Sequence, residues 1–322
     1  MLVNTVVQSG KIDLKRILGE DVEMGAASGY SPVVESAEGL RVVLGNDHPG
    51  FADPDYRRRR DEIASVSSAW TPGDRVPTVE YTEVEHDVWR TVGEQLAVKH
   101  RKYGCGAYID ASETLDLPKD HVPQLDEVSA RLAPLTGFRY LPVAGLAPLR
   151  EFYGSFAGRS FFSTQYLRHH SVPLYTPEPD IVHEVIGHAN QLASPRFAAI
   201  YEEVGKAVAR TESPEALALL SRVFWFTLEF GVVDEGGEPK AYGAGILSSF
   251  GELDAFQLAD IRPMNFSEIV TTTYDITRYQ PVLYSARSFE VLCGELEDFY
   301  STFDDTAFER LTHLASGKDS ET

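Results

Sequence analysis

Apolar residues along this 322-residue chain fall mostly at helical spacing. Thr82 and Glu85 form a capping-box pair, Val88, Trp89, Val92 and Leu96 follow at helical intervals, and Gly104 stops the run. Ser194-Pro195 opens another helix, whose Phe197, Ile200, Tyr201, Val204 and Val208 share one side and read as core packing. Ser213 as N-cap, Pro214 in the first turn and Gly231 past the end bracket a third, of about seventeen residues. The pattern then shortens. Between Val232 and Ile246, Gly236-Gly237 separates two brief segments that can pair as a hairpin. These signals predict a mostly α fold with a few short strands. One principal domain is expected over residues 47–300, after an N-terminal segment (1–46) of unclear role and before a polar C-terminal tail (301–322) that frays at Ser316 to Thr322.

Three polar residues interrupt the apolar logic. His183 and His188 lie in Glu-Pro-Asp-Ile-Val-His-Glu-Val-Ile-Gly-His (178–188), and Glu229 stands alone in Phe-Trp-Phe-Thr-Leu-Glu-Phe. An anion in the last turn of a helix opposes the helix dipole, and among Trp225, Phe226, Leu228 and Phe230 its burial needs a cation. Arg222 sits about 10 Å back along the axis, too far to serve. Each residue alone has an ordinary explanation, a packed core histidine or a solvated glutamate. Together, two imidazoles and one carboxylate are the ligand set of an open mononuclear iron(II) site.

The histidine spacing imposes a condition. At roughly 100° per residue, positions 183 and 188 differ by about 140° on an ideal helix, so they do not share a face. Either His183 sits in the first turn, or the helix widens near Gly187 in a π-type distortion. The same spacing breaks the zinc-peptidase pattern H-E-x-x-H: Glu184 is in place, but the second histidine would have to stand at Gly187. A metallohydrolase using His183 and His188 is the competing reading from a different class, and a non-catalytic binding protein is a third.

Three long stretches carry a resemblance. Residues 175–188, Phe-Trp-Phe-Thr-Leu-Glu-Phe-Gly (224–231) and Ala-Tyr-Gly-Ala-Gly-Ile-Leu-Ser-Ser-Phe-Gly-Glu-Leu (241–253) strongly resemble the tetrahydropterin-dependent aromatic amino acid hydroxylases, most of all those acting on phenylalanine. Shorter matches at His48 to Phe51, Val79 to Tyr81, Pro123 to Leu125 and Pro142 to Gly145 extend it over roughly residues 47–290. The resemblance implies a single catalytic domain of that type, with His183, His188 and Glu229 holding Fe(II). A tetrahydropterin, tetrahydrobiopterin or a related one, supplies two electrons; one atom of dioxygen enters the aromatic ring and the other leaves on the pterin.

By the same resemblance Arg168 takes the substrate α-carboxylate, for which a guanidinium is suited, with Thr176 beside it. Trp225 walls the substrate pocket, Phe152 stacks on the pterin and Glu184 lies near it. Ser248 stands behind the metal ligands, and it and Glu184 count among the catalytic groups. Taken alone, Arg168 reads as a surface arginine and Phe152 as a core one. The chain departs from the family at Ala189-Asn190-Gln191, where Val-Pro usually follows the histidine and a reshaped pocket wall is expected. It departs also at Phe162 and Phe224, where phenylalanine hydroxylases commonly have histidine and tyrosine. Hydroxylation of phenylalanine to tyrosine is the leading expectation; phenylalanine 3-hydroxylation to meta-tyrosine, or tryptophan hydroxylation, are the alternatives.

Composition narrows the partners. With 29 Lys+Arg against 49 Asp+Glu the net charge is −20, which disfavours nucleic acid and anionic membranes. Arg57 to Arg60, followed by Asp61 and Glu62, reads as a solvated helix face. Cys105 and Cys293 are too few for a disulfide framework, and no signal core or run of about twenty apolar residues is seen, so a cytoplasmic protein is expected. The N-terminal segment is short for a regulatory domain, and no sustained heptads point to a coiled-coil tetramer, leaving a monomer or dimer.

Overall fold

The computed structural model describes residues 31–36 and 39–315; the end expected to fray, 316–322, lies outside the described residues. The helices are α1 (Pro54–Ser68), α2 (Glu83–Tyr103), α3 (Gly106–Leu115), α4 (Leu125–Leu132) and α5 (Leu149–Ser155). Next come α6 (181–192), whose middle His183–Ala189 is π-helical, α7 (Pro195–Arg210) and α8 (Pro214–Phe224), which runs into a second π-turn at Trp225–Glu229. Short α9 (Ala244–Ser248), α10 (Glu252–Ala255) and α11 (Phe266–Ile269) precede α12 (Phe289–Thr302) and α13 (Asp305–Ala315).

The capping signals act as read. Glu85 N donates to Thr82 Oγ1 while Thr82 N donates to the Glu85 carboxylate at the start of α2, and Ala216 N donates to Ser213 Oγ at the start of α8. Helix α7 is the packing centre, buried by Phe197, Ile200, Tyr201, Val204 and Val208 and flanked by α5, α8 and α12.

The strands are β1 (Val33–Ser36), β2 (Gly39–Val42), β3 (Arg139–Pro142), β4 (Ser160–Ser163), β5 (Val232–Glu235), β6 (Glu238–Ala241), β7 (Asp260–Pro263) and β8 (Val282–Ala286). β5 and β6 form the expected hairpin, with Val232 opposite Ala241 and both turn glycines at positive φ (70° at Gly236, 88° at Gly237), as a tight two-residue turn requires. The hairpin belongs to a four-stranded sheet ordered β6-β5-β8-β7, in which β8 runs parallel to both β5 and β7.

Two expectations need correction. The arginine run is a solvated face only in part: Arg57 and Arg58 are exposed, but Arg60 is 3% exposed, and its Nη1 is 2.7 Å from Glu178 Oε1. The run follows a helix, so one arginine in the four turns inward, where it finds a carboxylate from a distant loop. The ordered chain also continues beyond residue 300. Ala307 is buried, and Phe308 and Leu311 pack on the core, giving α13 an apolar face that the polar composition of the segment concealed. At the other end β1 and β2 pair antiparallel, and Val42 and Leu44 pack with Ala64 of α1.

Candidate functional site

The π-segments resolve the spacing problem. Hydrogen bonds from i to i+5 widen the turn and bring residues five apart onto one side, and His183 and His188 are five apart. The second widened turn, closed by Phe230 N donating to Trp225 O at 2.8 Å, carries Glu229. Both face α9, which reaches them because glycines stand at the contacts. A Cβ on Gly187 would lie 2.9 Å from Ala244 O, and one on Gly243 would lie 2.2 Å from Glu229 O.

His183 Nε2, His188 Nε2 and a Glu229 carboxylate oxygen all lie within 4.8 Å of one another. The two nitrogens are 3.1 Å apart, and Glu229 approaches His188 Nε2 at 3.1 Å and His183 Nε2 at 3.6 Å. The network behind them fixes the tautomers. Ser248 Oγ donates to Gly245 O and so accepts the Nδ1–H of His183 at 2.8 Å. Tyr201 donates to Gln191 Oε1 and so accepts the Nδ1–H of His188. Each Nε2 is left as a bare lone pair, and three acceptors converge with no proton among them. A bound metal cation satisfies all three at once.

Electrostatics agree. Burial pushes the His183 imidazole down to about 4, which keeps it neutral. Burial would raise Glu229, but its neighbours His188 and His183, when charged, outweigh it and hold the carboxyl below its ordinary range, so the carboxylate carries the negative charge of the cluster. Glu184, beside them, is held well above the usual carboxylate range by burial and then by the Glu229 and Asp180 charges.

The other site residues are placed as follows. Arg168 is buried and clasped by Asp180 through Nε (2.9 Å) and Nη2 (2.8 Å), and its own backbone N donates to the same carboxylate. Asp180 also accepts from His183 N at 3.3 Å, which links the arginine to the start of the π-segment. Thr176 Oγ1 donates to Glu178 O in the same loop. Trp225 stacks on Tyr274 at 4.5 Å between ring centres, and its Nε1 donates to Gln280 Oε1. Half-buried Phe152 meets Tyr153, Phe156 and Phe161 edge-on, and none of the three lies flat on it.

Sequence reasoning passed over Asp180, Tyr201 and Gln191. Asp180 stood in plain view within the motif, but its partner was visible only in three dimensions; Tyr201 was assigned to packing although a buried tyrosine needs a partner for its hydroxyl. The reading of Ala189-Asn190-Gln191 as pocket wall is corrected. All three side chains are buried, and Asn190 Nδ2 donates to Ile186 O and Tyr108 Oη. This substitution changes the scaffold behind His188.

Asp53, His169 and His170 make the second possible metal group among the described residues. There Ser171 N donates to His169 Nδ1, so the ring's Nε2–H donates to Asp53, and the histidine is already used as a link between the loop and the N-cap of α1.

Comparison with known proteins is consistent with this geometry. A profile of the biopterin-dependent aromatic amino acid hydroxylases matches residues 35–312. The chain is 48% identical over 264 residues to phenylalanine 3-hydroxylase of Streptomyces coeruleorubidus, covering 82% of this chain and 95% of that one. It is 43% identical over 266 residues to phenylalanine-4-hydroxylase of Dictyostelium discoideum, covering 81% of this chain but only 60% of that protein's length. Among solved structures, the Chromobacterium violaceum phenylalanine hydroxylase with bound iron(III) and oxidised cofactor 7,8-dihydrobiopterin superposes with a TM-score of 0.65 at 28% identity, over 74% of this chain and 84% of that one. No helix among the described residues is long and apolar enough to cross a membrane. The chain belongs to the biopterin-dependent aromatic amino acid hydroxylases, monooxygenases that use iron, a reduced biopterin and dioxygen.

Proposed function

We propose that this chain hydroxylates the ring of phenylalanine, with iron(II) held by His183 Nε2, His188 Nε2 and the Glu229 carboxylate. The observation that carries the reading is the convergence of three proton-free donors from two widened turns. This donor set suits iron(II) with open positions for exogenous ligands. Iron(II) and a reduced pterin, when bound, would supply the activation of dioxygen and the two electrons that ring hydroxylation needs.

The protein's own residues bind, orient and exclude water. Asp180 fixes Arg168 through Nε and Nη2; Nη1 donates one N–H to Pro173 O at 3.5 Å and has its other N–H for the substrate α-carboxylate. Thr176 shapes the loop beside it, and Trp225, immobilised by Tyr274 and Gln280, walls the ring's pocket. Phe152 offers a ring face to the pterin, Glu184 lies alongside as a carboxyl, and Ser248 orients His183. Phenylalanine is supported by the names of the similar proteins and by the apolar aromatic character of Trp225, Phe230 and Tyr274.

The motif resemblance points to para-hydroxylation. A specific observation favours a second reading, 3-hydroxylation: the Streptomyces enzyme named for that position matches at 48% identity across 95% of its length. Incubation with iron(II), reduced pterin and oxygen, followed by chromatography against para-, meta- and ortho-tyrosine, separates the two. If phenylalanine is not consumed in step with pterin oxidation, or tryptophan is turned over in preference, the substrate reading fails.

A further inference from the structure

Behind the metal-facing side of His188, a closed set of polar contacts runs on from Tyr201 to the turn of Glu229. Its first member, Tyr201, projects from the middle of α7 and is fully buried among Phe138, Phe156, Phe161 and Phe224. Its oxygen accepts the Nδ1–H of His188 at 2.7 Å and its hydroxyl donates to Gln191 Oε1. Gln191, 0% exposed, spends its amide on two carbonyls: Nε2 donates to Leu228 O at 3.0 Å and to Tyr242 O at 2.6 Å. Leu228 precedes Glu229 at the end of its helix, where carbonyls lack intrahelical partners. Tyr242 precedes Gly243 and the start of α9, which carries Ser248.

One side chain, itself on the helix of His188, thus reaches Tyr201, the turn of Glu229 and the approach to α9. Through Tyr201 it sets the ring plane and tautomer of His188; directly, it pins the turn bearing Glu229 and the approach to the helix bearing Ser248. An apolar residue at 191 would take the Gln191 donors from two buried carbonyls and leave the Tyr201 hydroxyl proton without its acceptor. Because Gln191 offers one acceptor and two donors, its orientation is determined: the oxygen must face Tyr201, and the Nε2–H groups must face the carbonyls.

We propose that Tyr201 and Gln191 are positioning residues that hold His188 in its Nδ1–H tautomer and lock its distance to Glu229, so that metal affinity depends on them although neither reaches the metal. The proposal rests on the reading of His188 as a ligand. Outer-shell partners of this kind change metal affinity by about 10–100-fold.

The test uses Co(II) as the probe and the full chain. Tyr201→Phe keeps the ring and removes only the hydroxyl; it is expected to fold, to lose about tenfold or more in Co(II) affinity, and to shift the visible Co(II) absorption bands. In the metal-free protein, nitrogen chemical shifts of the His188 ring should show the Nδ1–H tautomer in the parent and a mixture in the variant. Tyr108→Phe is the control for structural loss, since it removes an equally buried hydroxyl from Ile186 O in the same π-segment, at 2.7 Å, without touching His188. It should bind Co(II) within about twofold of the parent, well inside the range of an outer-shell effect.

Equal losses in the two tyrosine variants, or an unchanged affinity and spectrum in Tyr201→Phe, overturn the proposal. If Tyr201→Phe does not fold, Gln191→Leu carries the same expectation and the same refutation. His188→Ala tests the underlying ligand reading apart from this one. Retained tight Co(II) binding there sinks the ligand assignment, whereas its loss beside a silent Tyr201→Phe sinks only the positioning role.

Discussion

At the scale of single residues, charge placement decides what each group can do. In the proposed site Asp180 holds Arg168 through two of its nitrogens, and the third, which gives one N–H to Pro173 O, has the other for a substrate carboxylate. Arg168→Lys retains the charge but gives a point donor that cannot hold Asp180 and a substrate carboxylate together. Its KM for phenylalanine should rise about tenfold or more, the worth of one charge-assisted contact, with kcat falling less; steady-state kinetics at saturating pterin measure both, and an unchanged KM removes Arg168 from the substrate site. Glu252 shows the opposite placement: burial pushes its carboxyl up to about 7, and Gln280 N is its one donor among the described residues. The ordinary value is 4.5, so as pH climbs from there the unfolded chain ionises freely while the folded one holds its proton to about 7. Stability therefore falls across that window. Glu252→Gln should match the parent near pH 5 and exceed it at pH 8, by at most roughly 3 kcal/mol. Urea denaturation at the two pH values checks this, and equal stabilities at pH 8 would show that the carboxyl ionises without penalty.

Among the elements, the site is a property of two helices that widen in the same place. Gly187 allows this, since its missing Cβ is where Ala244 O passes at 2.9 Å, with Ala244 Cβ at 3.0 Å. Gly187→Ala must push α9 away, and with it Ser248 and its 2.8 Å contact to His183. The variant is expected to lose about 1–3 kcal/mol of stability by overpacking, and to bind iron(II) more weakly than that loss alone explains. Thermal melts and chelator competition measure the two effects, and a variant as stable and as tight as the parent would show that α9 has room to spare.

Elements were legible in the sequence where a local rule sufficed. The Thr82–Glu85 box, the Ser213-Pro214 start and the Gly236-Gly237 hairpin depend only on near neighbours, and each is present. The π-widening near Gly187 was one of two ways the five-residue spacing allowed both histidines to meet, the other being His183 in the first turn, and it is the one present. The parallel pairing of β8 with β5 and β7 was not legible, because its register joins segments some 20 to 50 positions apart and leaves no period in the chain. Nor was the inward turn of Arg60, whose neighbours in sequence are all charged.

For the whole molecule, that arginine matters most. Arg60 of α1 lies over the Tyr166 ring and pairs with Glu178, whose other oxygen accepts from Ser31 N at 2.7 Å and whose carboxylate also faces His48. Glu178 sits between Thr176 and Asp180, in the loop that presents Arg168. Helix α1 is thereby tied to the loop that carries Arg168 by a buried ion pair, beside the Asp53–His169 contact and the donation of Tyr56 Oη to Leu167 O. Burial alone would raise Glu178, yet His48 and Arg60 together bring it down to about 2. A carboxyl depressed in the folded state contributes stability that is complete above its unfolded value of 4.5 and disappears as pH falls through about 2. Glu178→Gln leaves Arg60 buried without a counter-charge, a loss of about 3–5 kcal/mol at pH 7. Because the parent's carboxylate is itself neutralised in acid, the gap between parent and variant should narrow steadily below pH 4.5 and lose about half its size by pH 3. Paired urea denaturation at pH 7, 4 and 3 measures that gap. A gap that stayed constant across the three would mean that Glu178 acts through shape and hydrogen bonding alone, and the ion pair would cease to explain how the N-terminal part of the chain is held to the site.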